Sequence, residues 1–177
     1  EMDPLILTFD LGTQSMRGML FNKKGQIVQL VQHKYETPYY SKYPGWAEQK
    51  ADFYLSTLCS ISKELKEKSQ NGYEDVIAVT LTTIRDSSLC LDENYEPLGD
   101  VILWLDSRET KRVKPFPWWA KIALKIVGMD TVLKKQYMVS SANWIMENEP
   151  ELWEKTDKFV MLSTYLNYKI TGQLVDC

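Results

Sequence analysis

Short apolar runs in the first part of the chain predict β-strands. Residues 5–9 run into a polar turn, residues 16–21 return from it, and residues 26–37 leave again after a second turn at 22–25. Strand-length runs separated by such turns are typical of β-hairpins. We therefore predict that the fold opens with three strands joined as two hairpins.

The hydrophobic period changes in the next part of the chain. Residues 52–69 place apolar side chains at helical spacing, with lysine and glutamate on the opposite face, which predicts an amphipathic helix. β-Branched residues at 76–81 predict a buried strand, and short strands follow at 88–91 and 101–104. A helix that joins two strands in this way predicts a mixed sheet with helical cover, and hence an α/β fold.

The second half of the chain has mainly helical patterning. It predicts helices over residues 118–127 and 131–135. Ser141 and Ser163 stand where they would cap two further helices, and Pro150 stands where it would begin another. Because the sequence has no internal repeat and no low-complexity tract, we treat the whole chain as one unit.

Composition and charge exclude several classes of protein. At 177 residues and 44% hydrophobic, the chain can bury a full core without disulfides. The excess of 24 acidic over 21 basic residues argues against a globally basic nucleic-acid binder. No apolar run approaches the roughly 20 residues that a membrane span requires. Three cysteines without paired spacing and a single histidine, His33, disfavour disulfide, zinc and histidine-dependent nucleophilic sites and favour a reducing compartment.

The strongest chemical signal lies in the turn between the first two strands. Asp10 ends an apolar run, and Gly12, Thr13 and Gln14 follow it. Glycine lets the backbone approach an anion closely, and successive backbone N–H groups can converge on phosphate oxygens. A neighbouring carboxylate suits Mg²⁺, which prefers one or two carboxylates together with phosphate. Taken alone, the same residues also fit an ordinary polar hairpin turn.

Two further polar clusters follow predicted strands. Arg85 and Asp86 come after the strand at 76–81, and Trp104 and Asp106 stand at the end of the short strand at 101–104. Ligands bind at strand ends in open α/β sheets, where a charged pair suits polyol hydroxyls and an indole can cover the apolar face of a sugar. The alternatives are a surface ion pair and a tryptophan that closes the core.

The order of these segments resembles the N-terminal part of the FGGY carbohydrate kinases. The stretch D-L-G-T-Q-S-M-R at residues 10–17 resembles the first phosphate motif of that family, and P-G-W-A-E-Q at 44–49 resembles its P-G-W-x-E-Q loop. W-L-D-S-R at 104–108 is similar to the W-x-D-x-R signature, and residues 148–151 and 162–172 are similar to its later segments. The resemblance covers essentially the whole chain.

The resemblance implies the ribonuclease-H-like fold of actin, hexokinase and Hsp70, with a mixed five-stranded sheet and helices. Residues 1–177 would be one incomplete N-terminal lobe, and the C-terminal nucleotide-binding lobe would be absent from them. The implied activity is transfer of the γ-phosphoryl group of ATP, with Mg²⁺, to a hydroxyl of a sugar or polyol. We expect a cytoplasmic enzyme with no nucleic-acid or membrane partner, and we leave a homodimer open.

The same resemblance assigns roles to the residues of the phosphate turn. Asp10 would position Mg²⁺, and Gly12, Thr13 and Gln14 would line the phosphates. Arg17 would either reach a phosphate or brace the turn. The catalytic-base aspartate of the family lies beyond this chain, so we expect the chain alone to be inactive, because a general base must lie within hydrogen-bond reach of the hydroxyl.

Arg85, Asp86, Trp104 and Asp106 would form the sugar side of the site. Asp106 is grouped with these contacts, although Asp106 and Arg108 are also suited to bracing their loop. Asp86 stands where glycerol kinases carry glutamate, and its shorter side chain alters the reach toward a polyol. The residues therefore predict the class of substrate and not its identity.

Two other functions compete with an active kinase. A non-catalytic sugar- or nucleotide-binding module of the same fold would keep the cleft, although it would have no need of the metal carboxylate Asp10. An ATPase of the actin or Hsp70 type shares the phosphate turn but leaves the P-G-W-x-E-Q and W-x-D-x-R stretches without explanation.

The segment at residues 110–129 has two interpretations of its own. Its lysines and arginines alternate with aromatic and aliphatic residues, which is typical of a basic amphipathic helix at a membrane surface or on a partner. The alternative is a helical insert that packs on the domain, on a second subunit or on the other lobe. We favour this second interpretation because helices commonly follow the W-x-D-x-R signature in the family.

Overall fold

The structure is a computed structural model that describes residues 3–111 and 115–175. Its strands and helices follow one another in the order β1 (Leu5–Leu11), β2 (Ser15–Phe21), β3 (Ile27–Lys34), β4 (Glu48–Gln49), α1 (Ala51–Lys68), β5 (Val76–Thr82), β6 (Ser88–Leu91), β7 (Val101–Ile102), α2 (Trp118–Val127), α3 (Asp130–Val139), α4 (Ser141–Asn148), α5 (Pro150–Lys155), β8 (Lys158–Met161) and α6 (Leu162–Thr171).

The opening strands form a mixed sheet in the order β3-β2-β1-β5. Strands β1, β2 and β3 pair antiparallel as the two predicted hairpins, and β5 returns after α1 to pair parallel with β1. The expected sheet had five strands. Within residues 3–111 and 115–175 it has four, and a separate antiparallel sheet of order β4-β7-β6-β8 lies beside it.

The main core lies between the first sheet and α1. Phe9 and Leu20 from the sheet and Ile61 and Leu65 from the helix are almost fully buried. Gly18 of β2 lets the helix approach closely, since a Cβ atom there would lie 2.5 Å from Ile61 Cγ2 and 2.7 Å from Leu65 Cδ1. The close packing of α1 on β2 supports the first hairpin, whose turn carries Gly12, Thr13 and Gln14.

The prediction that β5 is a buried strand is wrong for the residues that the structure describes. The side chain of Ile77 is 72% exposed and that of Val79 is 51% exposed. Strand β5 lies at the edge of its sheet, and α1 packs across β2 and β3 instead. β-Branched composition therefore identified the strand but not its depth, because burial depends on what packs against the strand.

The helices of the second half form where the patterning predicts them, with small differences at their ends. Ser140 rather than Ser141 caps α4, and its Oγ accepts the Asn143 N–H at 3.5 Å. Pro150 is the first residue of α5, as predicted. Ser163 lies inside α6 and does not cap it, because α6 begins one residue earlier.

Helix α2 forms, but it buries none of its own side chains. The expectation that this segment packs on the domain is therefore wrong for the described part of the chain, whereas packing on a second subunit or another lobe stays a prediction. Basic residues 112 and 114 of the segment lie outside the described residues. Over the ranges that are described, no helix is both long and apolar enough to cross a membrane.

Candidate functional site

The candidate site lies where β1 and β5 end side by side. Asp10 pairs with Thr82 across these parallel strands, so both strands deliver the residues that follow them to the same edge of the sheet. The Asp10 side chain is 41% exposed, and its Oδ2 lies 3.4 Å from Nη1 of Arg17 on β2. The carboxylate thus faces solvent at the edge of the sheet, and its contact with the basic side chain of Arg17 is long.

A four-residue turn follows Asp10. The Gly12 N–H donates to the Ser15 carbonyl at 2.9 Å, and the Gln14 carbonyl accepts the Tyr35 N–H at 2.9 Å. The Gly12 N–H is therefore engaged inside the turn. The N–H groups of Thr13 and Gln14 make no backbone hydrogen bond with any described residue, so they are the two that the turn offers to an anion.

Trp104 reaches this turn from the second sheet. Its backbone follows β7, and the neighbouring Leu103 N–H donates to the Ala47 carbonyl at 3.0 Å. The indole Nε1–H of Trp104 donates to Thr13 Oγ1 at 3.0 Å. The structure therefore joins a predicted sugar-side residue to a predicted phosphate-side residue, a contact between positions 91 apart that the sequence patterns did not indicate.

Arg85 and Asp86 complete the same cleft. Together with Thr13, Ile84 and Trp104 they line a cavity of about 340 Å³. Asp86 has a backbone φ of +52°, in the left-handed region that aspartate tolerates better than most side chains. The structure thus brings together Thr13, Arg85, Asp86 and Trp104, which the sequence analysis selected from three separate segments.

A second cavity of about 600 Å³ shares Asp86 and Trp104 with the first. Its far side is lined by Gln136 at the end of α3, by Ser141 and by Trp144 of α4. The sequence analysis missed these lining residues. No motif marks them, and only the folding of α3 and α4 across the cleft places them there.

A further cavity, of about 800 Å³, lies elsewhere. It is lined by Asp3, Leu5 and Asp75, at the opposite end of β1 from Asp10. We assign the site to the Asp10 end because the chemical groups of the cleft converge there, at the carboxyl ends of parallel strands.

Asp106 is buried and already bonded. Its Oδ2 accepts the Ala47 N–H at 2.7 Å and Nη2 of Arg108 at 2.8 Å, and its Oδ1 accepts Nε of Arg108 at 2.9 Å. Nη1 of Arg108 donates to Oε1 of Glu48 at 3.0 Å. These charged side chains are between 3% and 13% exposed. We call Glu48, Asp106 and Arg108 the loop latch, because they tie the P-G-W-A-E-Q loop to the W-L-D-S-R loop.

Two indole rings enclose the latch. The Arg108 guanidinium carbon lies 4.1 Å from the ring centroid of Trp46 and 4.8 Å from that of Trp144, within the range of cation–π attraction. Gly45, at φ +83°, lets the loop turn against Ser107, whose N–H donates to the Gly45 carbonyl at 2.8 Å. The two motifs were quoted together in the sequence analysis, but only the fold shows that they bind each other.

The environment of the turn also contains buried phenols. Burial raises the pKa of Tyr35, and the neighbouring charges of Tyr54 and Asp10 raise it further. Burial likewise raises the pKa of Tyr54. Both phenols therefore stay neutral well above neutral pH.

Solved structures of low sequence identity share this arrangement of strands and helices. Xylulose kinase from Rhodospirillum rubrum superimposes with a TM-score of 0.78 at 20% identity, over 97% of this chain and 35% of that one. Plasmodium falciparum glycerol kinase with ADP superimposes with a TM-score of 0.72 at 20% identity, over 96% of this chain and 35% of that one. These likenesses confirm the α/β, ribonuclease-H-like class of fold.

The family follows from the sequence comparison. Residues 5–176 match the model of the N-terminal domain of the FGGY family of carbohydrate kinases, so the chain belongs to that family. A glycerol kinase from Geobacillus sp. is 31% identical over 185 residues, which cover 97% of this chain and 35% of that protein. The chain thus spans about a third of the length of the curated relatives that it matches.

Proposed function

We propose that this chain is the sugar- and phosphate-binding lobe of an ATP-dependent carbohydrate kinase, which transfers the γ-phosphoryl group to a hydroxyl of a sugar or polyol. The observation that carries the proposal is the convergence of Thr13, Arg85, Asp86 and Trp104 on one cavity, next to the strand end that carries Asp10. The kinase names of the family's members support the reaction class, and the Plasmodium glycerol kinase, whose structure contains ADP, supports nucleotide use.

The donor set at Asp10 fits a magnesium ion that nucleotide phosphates share. Oδ1 of Asp10 makes no hydrogen bond with the described residues, and Oδ2 has only the long contact to Arg17. Within residues 3–111 and 115–175, no three histidine, cysteine or acidic side chains are grouped so that they could hold a metal ion by themselves. A single carboxylate with phosphate oxygens and water is the usual way in which proteins hold Mg²⁺ at a nucleotide. The ion would neutralise charge on the transferring phosphoryl group.

On the phosphate side, the N–H groups of Thr13 and Gln14 would donate to phosphate oxygens. Gly12 supports this role through the shape of the turn, because a Cβ atom there would lie 3.1 Å from the Ser15 carbonyl oxygen. Arg17 extends from β2 toward Asp10, and 45% of its side chain is exposed. It would hold the Asp10 carboxylate in place when no phosphate is bound, and a bound phosphate would compete for its guanidinium group.

On the sugar side, Arg85 and Asp86 would hydrogen-bond hydroxyl groups, and the indole face of Trp104 would cover an apolar face of the ring. Asp106 has a different role. Both of its oxygens are engaged by Arg108 and the Ala47 N–H, so we propose that it positions the Trp104 loop rather than contacting the sugar. The chain's contribution to catalysis is therefore to orient substrate and phosphate, which supplies most of the catalysis in phosphoryl transfer.

The test is an ADP-release assay on the natural polypeptide that contains this chain, with a panel of sugars and polyols. We expect turnover with at least one of them. We expect Asp10→Asn to lower kcat by roughly a hundredfold or more while the protein still folds, because the charge stabilisation by a bound metal is worth several kcal/mol.

Asp157→Asn is the matched control, since Asp157 is a surface carboxylate that forms an ion pair with Lys158, and we expect it to keep wild-type rates. Near-normal turnover in Asp10→Asn would contradict the role of the carboxylate. Binding of a sugar and nucleotide without turnover would support the non-catalytic module instead.

We also propose a cytoplasmic location, which the free thiols of Cys59 and Cys90 support. A homodimer stays open, and sedimentation of the natural polypeptide would decide it.

A further inference from the structure

We propose that Thr13 is a positioning residue that couples nucleotide binding to sugar binding through Trp104. Its hydroxyl accepts the indole Nε1–H of Trp104 and donates its own proton to a phosphate oxygen of the nucleotide. The inference rests on the proposed function, because it needs phosphate at the turn and sugar beside the indole. It goes beyond that function because it assigns the coupling between the two ligands to one hydroxyl group.

The chemistry of the two side chains allows only one direction for their bond. An indole N–H is a donor and never an acceptor, so in the 3.0 Å contact the Thr13 Oγ1 must be the acceptor. The hydroxyl keeps its one proton, and the N–H groups of Thr13 and Gln14, which make no backbone hydrogen bond with the described residues, mark the side on which an anion would lie. A hydroxyl that accepts on one side and donates on the other is polarised, so each bond strengthens the other.

Trp104 is placed so that this bond controls its orientation. The backbone on either side of it is held, because the Leu103 N–H donates to Ala47 and the Asp106 N–H donates to the Leu103 carbonyl at 2.9 Å. The side chain, in contrast, is 57% exposed, so packing restrains the ring only in part. Among the described residues, the ring makes one hydrogen bond, which is the bond to Thr13. This bond favours the rotamer of Trp104 that directs the indole N–H at the Thr13 hydroxyl.

A bound phosphate would therefore hold the indole in the orientation that covers the sugar. The size of the effect is that of one hydrogen bond, so we expect each ligand to tighten the binding of the other about threefold to tenfold. Thermodynamic reciprocity requires the same factor in both directions.

The first experiment observes the indole directly in the natural polypeptide. The chain has six tryptophans, and the Trp104 Nε1–H resonance is identified by its loss in Trp104→Phe. We expect this resonance to shift when Mg²⁺ and ADP are added. We expect Thr13→Val to abolish the shift while ADP still binds, and Thr13→Ser, which keeps the hydroxyl, to restore it.

The second experiment measures the coupling factor. The sugar or polyol with the highest kcat/KM in the panel is titrated with and without Mg²⁺ and a non-hydrolysable ATP analogue. We expect Thr13→Val and Trp104→Phe each to reduce the coupling factor to about one, and the double variant to reduce it no further, because both remove the same bond. Thr8→Val and Trp118→Phe are the controls, since they remove a hydroxyl and an indole N–H outside the cleft, and they should keep the wild-type factor.

The outcomes separate this inference from the proposed function. If the wild-type protein neither binds nucleotide nor phosphorylates any member of the panel, the proposed function is wrong and the coupling is wrong with it. If the wild-type protein is an active kinase but Thr13→Val keeps both the resonance shift and the coupling factor, only the coupling is wrong. A merely structural role for Thr13 would lower stability without changing the coupling factor.

Discussion

At the scale of single residues, two buried tyrosines are informative because their hydroxyl groups have no partner among the described residues. The Tyr54 side chain is fully buried, and neither its hydroxyl nor that of Tyr35 hydrogen-bonds with any of them. Their rings meet edge to face with centroids 6.2 Å apart, so the rings are well packed while the polar atoms are not satisfied. An unsatisfied buried hydroxyl opposes folding by about 1–3 kcal/mol.

We therefore predict that Tyr54→Phe raises the free energy of unfolding by about 1 kcal/mol at neutral pH. Burial raises the pKa of Tyr54, so above about pH 10 the unfolded chain ionises while the folded protein does not, and stability falls as the pH rises. Tyr54→Phe should weaken that fall without abolishing it, because the pKa values of Tyr35, Tyr73 and Tyr165 are also raised by burial. Urea unfolding at neutral and alkaline pH measures both effects.

Tyr73→Phe is the matched control. The Tyr73 hydroxyl donates to the Ser62 carbonyl at 2.6 Å, so its loss should lower stability where the loss of the Tyr54 hydroxyl raises it. Equal destabilisation by the two variants would show that the Tyr54 hydroxyl has a partner.

At the scale of secondary-structure elements, local pattern predicted which elements form but not what each one contacts. The hairpins, α1 and β5 appear where the periodicity indicates them. The burial of β5 was mispredicted, because burial depends on the elements that pack against a strand rather than on the composition of the strand. The N-cap of α4 differs from the prediction by one residue and that of α6 by two, which is the usual precision for helix ends.

The packing of α1 on β2 gives a prediction at this scale. In Gly18→Ala, the new methyl group would collide with Ile61 and Leu65, so the helix must move away from the sheet. We expect a loss of about 1–3 kcal/mol in the free energy of unfolding, as for overpacking of a core. Thermal and urea unfolding measure it.

Gly99→Ala serves as the control, because a Cβ atom at Gly99 would meet nothing within 4 Å. It should be neutral or slightly stabilising, since alanine restricts the unfolded chain. Similar stability of the two variants would mean that α1 sits farther from β2 than the structure indicates.

At the scale of the whole molecule, the site depends on contacts between its two sheets. The first sheet carries Asp10 and Thr13, and the second carries the Trp104 loop. The loop latch of Glu48, Asp106 and Arg108 ties that loop to the P-G-W-A-E-Q loop, whose Glu48 begins β4 of the second sheet. A buried charged network of this kind is costly to break, because the remaining charges lose their partners.

We predict that Arg108→Met lowers the free energy of unfolding by about 3–5 kcal/mol, since it leaves Asp106 and Glu48 buried without their cation. Arg108→Lys should lower the free energy of unfolding by less. It should still raise the KM for sugar more than it lowers kcat, because lysine cannot reproduce the paired guanidinium hydrogen bonds that orient the loop. Urea unfolding and steady-state kinetics measure the two effects.

Lys158→Met is the control for the loss of a charge, because Lys158 pairs with Asp157 at the surface, where we expect little change. A stable Arg108→Lys with unchanged KM would show that the latch does not position the Trp104 loop.

The sequence by itself predicted the class of fold and indicated most of the residues that line the candidate cleft, because hydrophobic periodicity and short motifs are local and the chain carries them at fixed spacing. Asp10, Thr13, Arg85, Asp86 and Trp104 were all selected before any contact was known. Only the tertiary structure decided which of these residues touch, that Asp106 is engaged by Arg108, and that α3 and α4 line the second cavity. The physical reason is that contacts between residues 60 or 90 positions apart depend on how the two sheets pack, which no local pattern records.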